Sequence, residues 1–200
     1  MPELSAIASA DPSRTLATPR RTLLLRGGQA LLSAGAIALL AGCESAMSSR
    51  AASADTMAND AEILNTALGL EYEGIAAYQV GAESGLLEKP VLDVAVQFQG
   101  HHKEHADVLA QTVAKLGGTP VLPKAQYNFP VDQLKTQADV LRFAAGLEKG
   151  AASAYYGAVP LFGDSALAQA AASIMADEAM HWAVLLHVLG ENPVPVAFVS

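Results

Sequence analysis

Apolar positions recur with a helical period in four stretches of the chain. The first runs from about Thr56 to Leu87 along the stripe Leu64, Leu68, Glu71, Ile75, Tyr78, Ala82. The second runs from Pro90 to Leu116, with Ala95, Phe98, His102, His105, Leu109, Val113 and Leu116 on one face. Pro90 suits a first turn, and Gly117-Gly118 stops the helix. The third spans about Asp132 to Val159, with Leu141, Ala145, Glu148, Ala152, Tyr155 and Val159 inward; Pro160 ends it. The fourth starts at Asp164 or Ser165, both good N-caps, and ends at Gly190. Its stripe is Ala171, Ile174, Glu178, His181, Leu185, Val188.

The connections set the topology. Short links around Glu88-Lys89 and Leu161-Phe162-Gly163 make two antiparallel hairpins. Between the hairpins lies Gly118 to Pro130, with prolines at 120, 123 and 130. At ~3.3 Å per residue this link reaches ~40 Å, the length of the helices beside it. The expected fold is therefore all-α: an antiparallel four-helix bundle over residues 56–190, with a long crossover between helices two and three. Pro193 and Pro195 keep residues 191–200 out of the last helix, as an extended, strand-like arm on the surface.

Polar residues interrupt the apolar stripes in a repeated pattern. Glu71 is followed 34 residues later by His105, and Glu148 is followed 33 residues later by His181. Each Glu follows a Leu and precedes a Tyr by seven residues, in Leu70-Glu71…Tyr78 and Leu147-Glu148…Tyr155. Each His ends an i, i+3 pair: His102 with His105, and Glu178 with His181. An inward Glu is rare unless it is paired or holds a metal. Three at one depth, level with histidines, predict six side chains around one point, which is how a bundle core builds a two-metal site. The six are Glu71, His102, His105, Glu148, Glu178 and His181. His101, four residues before His105, competes with His102 for its place. Glu73, turned well away from Glu71, should face solvent, and His187 should be a surface or satisfied core histidine. Tyr78 and Tyr155 read as core aromatics whose hydroxyls find a partner, with a bond to a metal-holding Glu as the alternative. Met175, Met180 and Trp182 read as bundle filling.

Composition agrees with a helical domain: 52% hydrophobic, 16% charged and 6% aromatic over 200 residues. The first 42 residues stand apart. Arg20-Arg21 precedes an apolar run of small residues from Gly27 to Gly42, the order of an export signal of twin-arginine type. Leu40-Ala41-Gly42-Cys43 is similar to a bacterial lipobox, which makes Cys43 the lipidated first residue of the mature chain. The competing reading is cleavage after Ala52-Ser53-Ala54. Cys43 is the only cysteine, so no intramolecular disulfide forms. Residues 43–55 then serve as a flexible tether. Removing 1–42 takes Arg14, Arg20, Arg21, Arg26, Glu3 and Asp11, leaving 8 basic and 18 acidic residues. So acidic a domain is a poor nucleic-acid binder. The expected location is the periplasm or cell envelope, with the membrane reached through lipidated Cys43.

The runs LNTALGLEYEGIAAY, LEKGAASAY and DEAMH resemble the ferritin-like superfamily, which includes bacterioferritin and rubrerythrin. The similarity covers about Thr56 to Gly190. It implies a ferritin-like bundle in which helices one and three each give a Glu, and helices two and four each give Glu-x-x-His. Glu71, His105, Glu148, Glu178 and His181 match five of the six places. Glu71 and Glu148 would be terminal ligands, Glu178 a bridge, and His105 and His181 would cap the two metals. At the sixth place His102 stands where the family has a bridging Glu, and would be a terminal ligand. The implied cofactors are two iron or manganese ions. The added nitrogen moves the preference toward zinc or copper. The implied activity is an oxidoreductase acting on O₂ or peroxide; the alternatives are a non-catalytic envelope binding protein or metal sequestration. A homodimer is compatible with the sequence.

Overall fold

The computed structural model describes residues 53–199. The export segment, the lipobox with Cys43 and most of the tether lie outside the described residues. Four long helices carry the fold: α1 (Ala54–Glu83), α2 (Lys89–Lys115), α3 (Gln137–Ala158) and α4 (Ser165–Val188). No strand occurs among the described residues, and no described helix is long and apolar enough to cross a membrane.

Local chemistry sets the helix ends. Ser53 caps α1 by accepting the Thr56 amide at 3.2 Å. Asp164 caps α4 through the Ala166 amide at 2.7 Å. Gly117 and Gly190 follow α2 and α4 with positive φ, 83° and 73°, where a side chain would be strained. Two ends differ from expectation. α1 stops at Glu83, before Leu87, because Ser84 caps it and Gly85 turns at φ 69°. α3 starts at Gln137, after Asp132. Thr136 and Asp139 form a reciprocal capping box there, and Val131–Gln133 is only a 3₁₀ turn.

Hydrogen bonds at the two poles prove the crossover. At one pole, the Asn65 amide donates to Thr119 O and accepts from Val121 N, both at 2.9 Å, which ties the end of α2 to the start of α1. At the other, Gln137 Oε1 accepts from Glu88 N at 2.7 Å, so α3 starts beside the α1–α2 turn. The link after α2 therefore travels the length of the bundle, and α2 and α3 run parallel on a diagonal. α1 packs on α2 and α3; α4 packs on α3 and α2. The α1–α3 and α2–α4 seams are thus opposite faces.

The apolar core is in two halves. Leu64, Leu68, Leu109, Val113, Ala170 and Ile174 fill the half near the start of α1. Phe98, Leu141, Ala145, Leu185 and Leu186 fill the half near its end. Between them lies a layer of buried polar side chains. Some margins differ from the periodic reading, in that Val188 and Met180 are exposed; His187 lies at the surface, as expected. Residues 191–199 form no strand, and Val194, Val196 and Phe198 are exposed. The tail does not lay its apolar residues onto the bundle.

Candidate metal centre

Each helix delivers its share of the polar layer. Glu71 comes from α1, His102 and His105 from α2, Glu148 from α3, and Glu178 and His181 from α4. Glu178 is 0% exposed, Glu71 and Glu148 1%, His181 2% and His102 3%. His105 is partly buried. The side chains form two overlapping quartets: Glu71, His102, His105, Glu178, and His102, Glu148, Glu178, His181. Within each, one donor atom per residue lies within 4.8 Å of the others. The halves mirror each other. His105 Nδ1 is 3.5 Å from Glu71 Oε2 and 3.3 Å from Glu178 Oε1. His181 Nδ1 is 3.5 Å from Glu148 Oε1 and 3.8 Å from Glu178 Oε2. Glu178 thus turns one oxygen to each half.

His102 lies across the middle. Its Nδ1 is 2.8 Å from Glu71 Oε2, and its Nε2 is 3.3 Å from Glu148 Oε1. It touches both halves, where a terminal position would touch one. Gly74 makes the room: a Cβ there would stand 3.0 Å from the His102 ring.

Five buried atoms in the layer have no hydrogen-bond partner among the described residues: His105 Nδ1, His181 Nδ1, Glu148 Oε2 and both oxygens of Glu178. Buried polar atoms are rarely left this way. Four of them, the two Nδ1 atoms and the two Glu178 oxygens, face one another across the cluster. Donors held ~2.0–2.2 Å from one ion stand ~3–3.5 Å apart, close to the spacings across each half. The residues present therefore fit a divalent cation in each half.

Among themselves the groups hold opposite charges. Burial alone would raise Glu71, but the hydrogen bond from His102 and the nearby His105 imidazole outweigh it and hold the carboxyl at about 2. Burial likewise opposes, and His102 and His181 reverse, the shift of Glu148, which falls well below the carboxylate range. For the histidines burial is again overcome, by the facing carboxylates: His102 rises to about 10, His105 to about 9 and His181 to about 11. Glu178 is raised by burial, with Glu148 and Glu71 adding to it. The tyrosines cross over. Tyr155 of α3 donates to Glu71 Oε1 of α1 at 2.6 Å, and Tyr78 of α1 donates to Glu148 Oε1 of α3. Each fixes one oxygen of the opposite Glu and seals the layer against one apolar half. Burial and the Glu charge push both phenols well above their usual range.

Two residues lie on the outer side of the cluster, at the α2–α4 seam. Asp177 Oδ2 is 3.3 Å from His181 Nε2, 3.5 Å from His105 Nε2 and 3.3 Å from His101 Nδ1. When a cation displaces their inner protons, Asp177 favours the tautomers that leave both Nδ1 lone pairs facing inward. Asp177 was not among the residues expected from the sequence. Its one signal is its place four residues before His181, on the same helix face. His101 stays outside the core, and His102 takes the inner position. On the opposite seam a cavity of about 220 Å³ opens between α1 and α3 and reaches His102, Tyr78 and Glu148. Gly74, Gly146 and Gly150 leave it open, and Glu73 lines it half-buried, where full solvent exposure was expected.

The fold and this cluster define a helical bundle with a buried carboxylate–imidazole layer. The chain belongs to the Ferritin-like domain family, whose model matches residues 59–191. Among solved structures, it is similar to a conserved hypothetical protein of Mycobacterium tuberculosis. Identity is 24% and the TM-score 0.62, over 72% of this chain and 99% of that one. It is also similar to a ferritin-like, diiron-carboxylate protein of Bacillus anthracis str. Ames, at 21% identity and TM-score 0.58, over 67% and 97%. No curated protein sequence matches the chain.

Proposed function

We propose that this is an exported ferritin-like metal protein whose central layer holds two iron or manganese ions and reduces O₂ or peroxide. The observation that carries the reading is the set of five partnerless buried atoms in one layer between two apolar half-cores. The Bacillus anthracis protein described as diiron-carboxylate supports iron as the metal. Glu71 and His105 would hold one ion, Glu148 and His181 the other, and Glu178 would lie between them. Two bound divalent ions would supply one electron each, two per oxidant reduced, and turnover would need an external electron donor, added in the assay, to restore them. The chain's own residues do the rest. Asp177 orients the two imidazoles, Tyr78 and Tyr155 orient the two outer carboxylates, and the apolar halves exclude water. The apolar cavity between α1 and α3 has the size and lining for a small neutral oxidant.

The test is elemental analysis of protein loaded in the cell, followed by peroxide or O₂ consumption. Two iron or manganese ions per chain with turnover support the proposal. Tight metal without turnover supports sequestration instead. His102 favours that second reading. With three carboxylates and three imidazoles, the donors carry one negative charge less than the family's set, and the added nitrogen suits zinc or copper. Absence of metal leaves a non-catalytic envelope binding protein.

Export and attachment through Cys43 belong to this proposal and rest on the sequence of the first 43 residues. Cys43→Ala should move the protein from the membrane to the soluble envelope fraction. Unchanged fractionation would contradict lipidation.

A further inference from the structure

We propose that His101, Asp177 and His181 form a second, solvent-facing metal site, which takes one divalent transition cation and stands on its path into the core. His101 Nδ1 is 2.9 Å from His181 Nε2, and Asp177 Oδ2 is 3.3 Å from each of them. The carboxylate contacts are longer than charge-assisted hydrogen bonds, which run ~2.7–2.9 Å. They match the ~3.3 Å that separates donors around a tetrahedral ion with bonds of ~2.0–2.1 Å. A proton can join only one facing pair at a time; a cation that displaces the His181 Nε2 proton to solvent would serve all three donors, with His181 bridging the outer and core sites as an imidazolate. Two imidazoles and one carboxylate, with the remaining positions open, suit Fe²⁺ and also take Zn²⁺ and Co²⁺.

Exposure places this site on an entry route. The His101 and Asp177 side chains are 34% and 25% exposed, against 2% for His181. His181 joins the two sites: Nε2 faces the outer triad, and Nδ1 faces Glu148 and Glu178. His105 does the same on a smaller scale, with Nε2 toward Asp177 and Nδ1 toward Glu71 and Glu178. An ion arriving at Asp177 can exchange waters for imidazole nitrogens before it meets the buried carboxylates. The cavity on the opposite face is lined mainly by apolar and small residues and, besides Glu73 and Glu148, offers a cation one imidazole, His102, against two in the outer triad. The path, though not the outer site itself, rests on the proposed core centre.

The test is Co²⁺ titration of the full chain, with stoichiometry by equilibrium dialysis and visible absorption as the coordination signature. His101→Ala should lose one ion per chain and keep the rest. Asp177→Asn, which keeps the side-chain volume, should loosen the same ion. Glu178→Gln should lose core ions and keep the outer one. Unchanged stoichiometry and absorption in His101→Ala would overturn the outer site. An unchanged Glu178→Gln beside a one-ion loss in His101→Ala would sink the core reading and leave the outer site standing. In stopped-flow loading, His101→Ala should fill the core several-fold more slowly; filling at the wild-type rate overturns the path.

Discussion

His102 sits where one imidazole meets both outer carboxylates, and Gly74 is the reason it fits. A methyl group on residue 74 would stand 3.0 Å from the His102 ring, whose Nδ1 is already 2.8 Å from Glu71. The ring is boxed by Tyr78, at a centroid distance of 5.4 Å, and cannot retreat freely. Gly74→Ala should therefore cost about 1–3 kcal/mol as overpacking, read by urea unfolding. An unchanged midpoint would mean that the ring moves without resistance. A second expectation concerns the chemistry of the same ring. His102→Glu adds a carboxylate to the cluster, so bound iron or manganese should rise relative to zinc or copper in elemental analysis. An unaltered ratio would remove His102 from the metal's surroundings. The five residues that match the family's pattern were legible because helix geometry ties inward ligands to fixed spacings. Asp177 was not. It lies one residue, about 100° of helix rotation, from Glu178, and alone it reads as one more solvated acid.

At the scale of elements, a single aspartate ties α1 to the α3–α4 turn. Asp60 is 1% exposed and accepts the Gly163 amide at 2.8 Å and the Asp164 amide at 3.0 Å. Gly163 is needed beside it, since a Cβ there would collide with the Thr56 methyl at 2.1 Å. Asp60→Ala would strip two amides of their acceptor and should cost about 1–3 kcal/mol in denaturant unfolding. A loss below a few tenths would show that water replaces the carboxylate. This clamp was not visible in the sequence, because its partners are backbone groups about a hundred residues away. Helix existence was visible, since each stripe runs through several turns. Helix ends were less so. Leu86 and Leu87 continue an apolar look past the true end of α1, where Ser84 and Gly85 decide the matter. For α3, Thr136-x-x-Asp139 carried the start signal, but the earlier Asp132 masked it. Val188 keeps the period and yet is exposed, because it is the last residue of α4 and nothing packs over it.

At the scale of the whole molecule, the long link between α2 and α3 places equal depths of four helices at one level. Its length alone implied the crossover, and contacts at both poles bear it out. The result is a charged layer between two apolar halves, open to a cavity on one face and to Asp177 on the other. The helices spend buried space on groups that contribute little to packing, which makes sense if those groups hold something else. The most direct measurement is anomalous diffraction from crystals of protein purified with its metal. The account predicts two peaks ~3.5–4 Å apart. One should lie among Glu71, His105 and Glu178, and the other among Glu148, His181 and Glu178. A single peak, or none inside the layer, would contradict a two-metal centre.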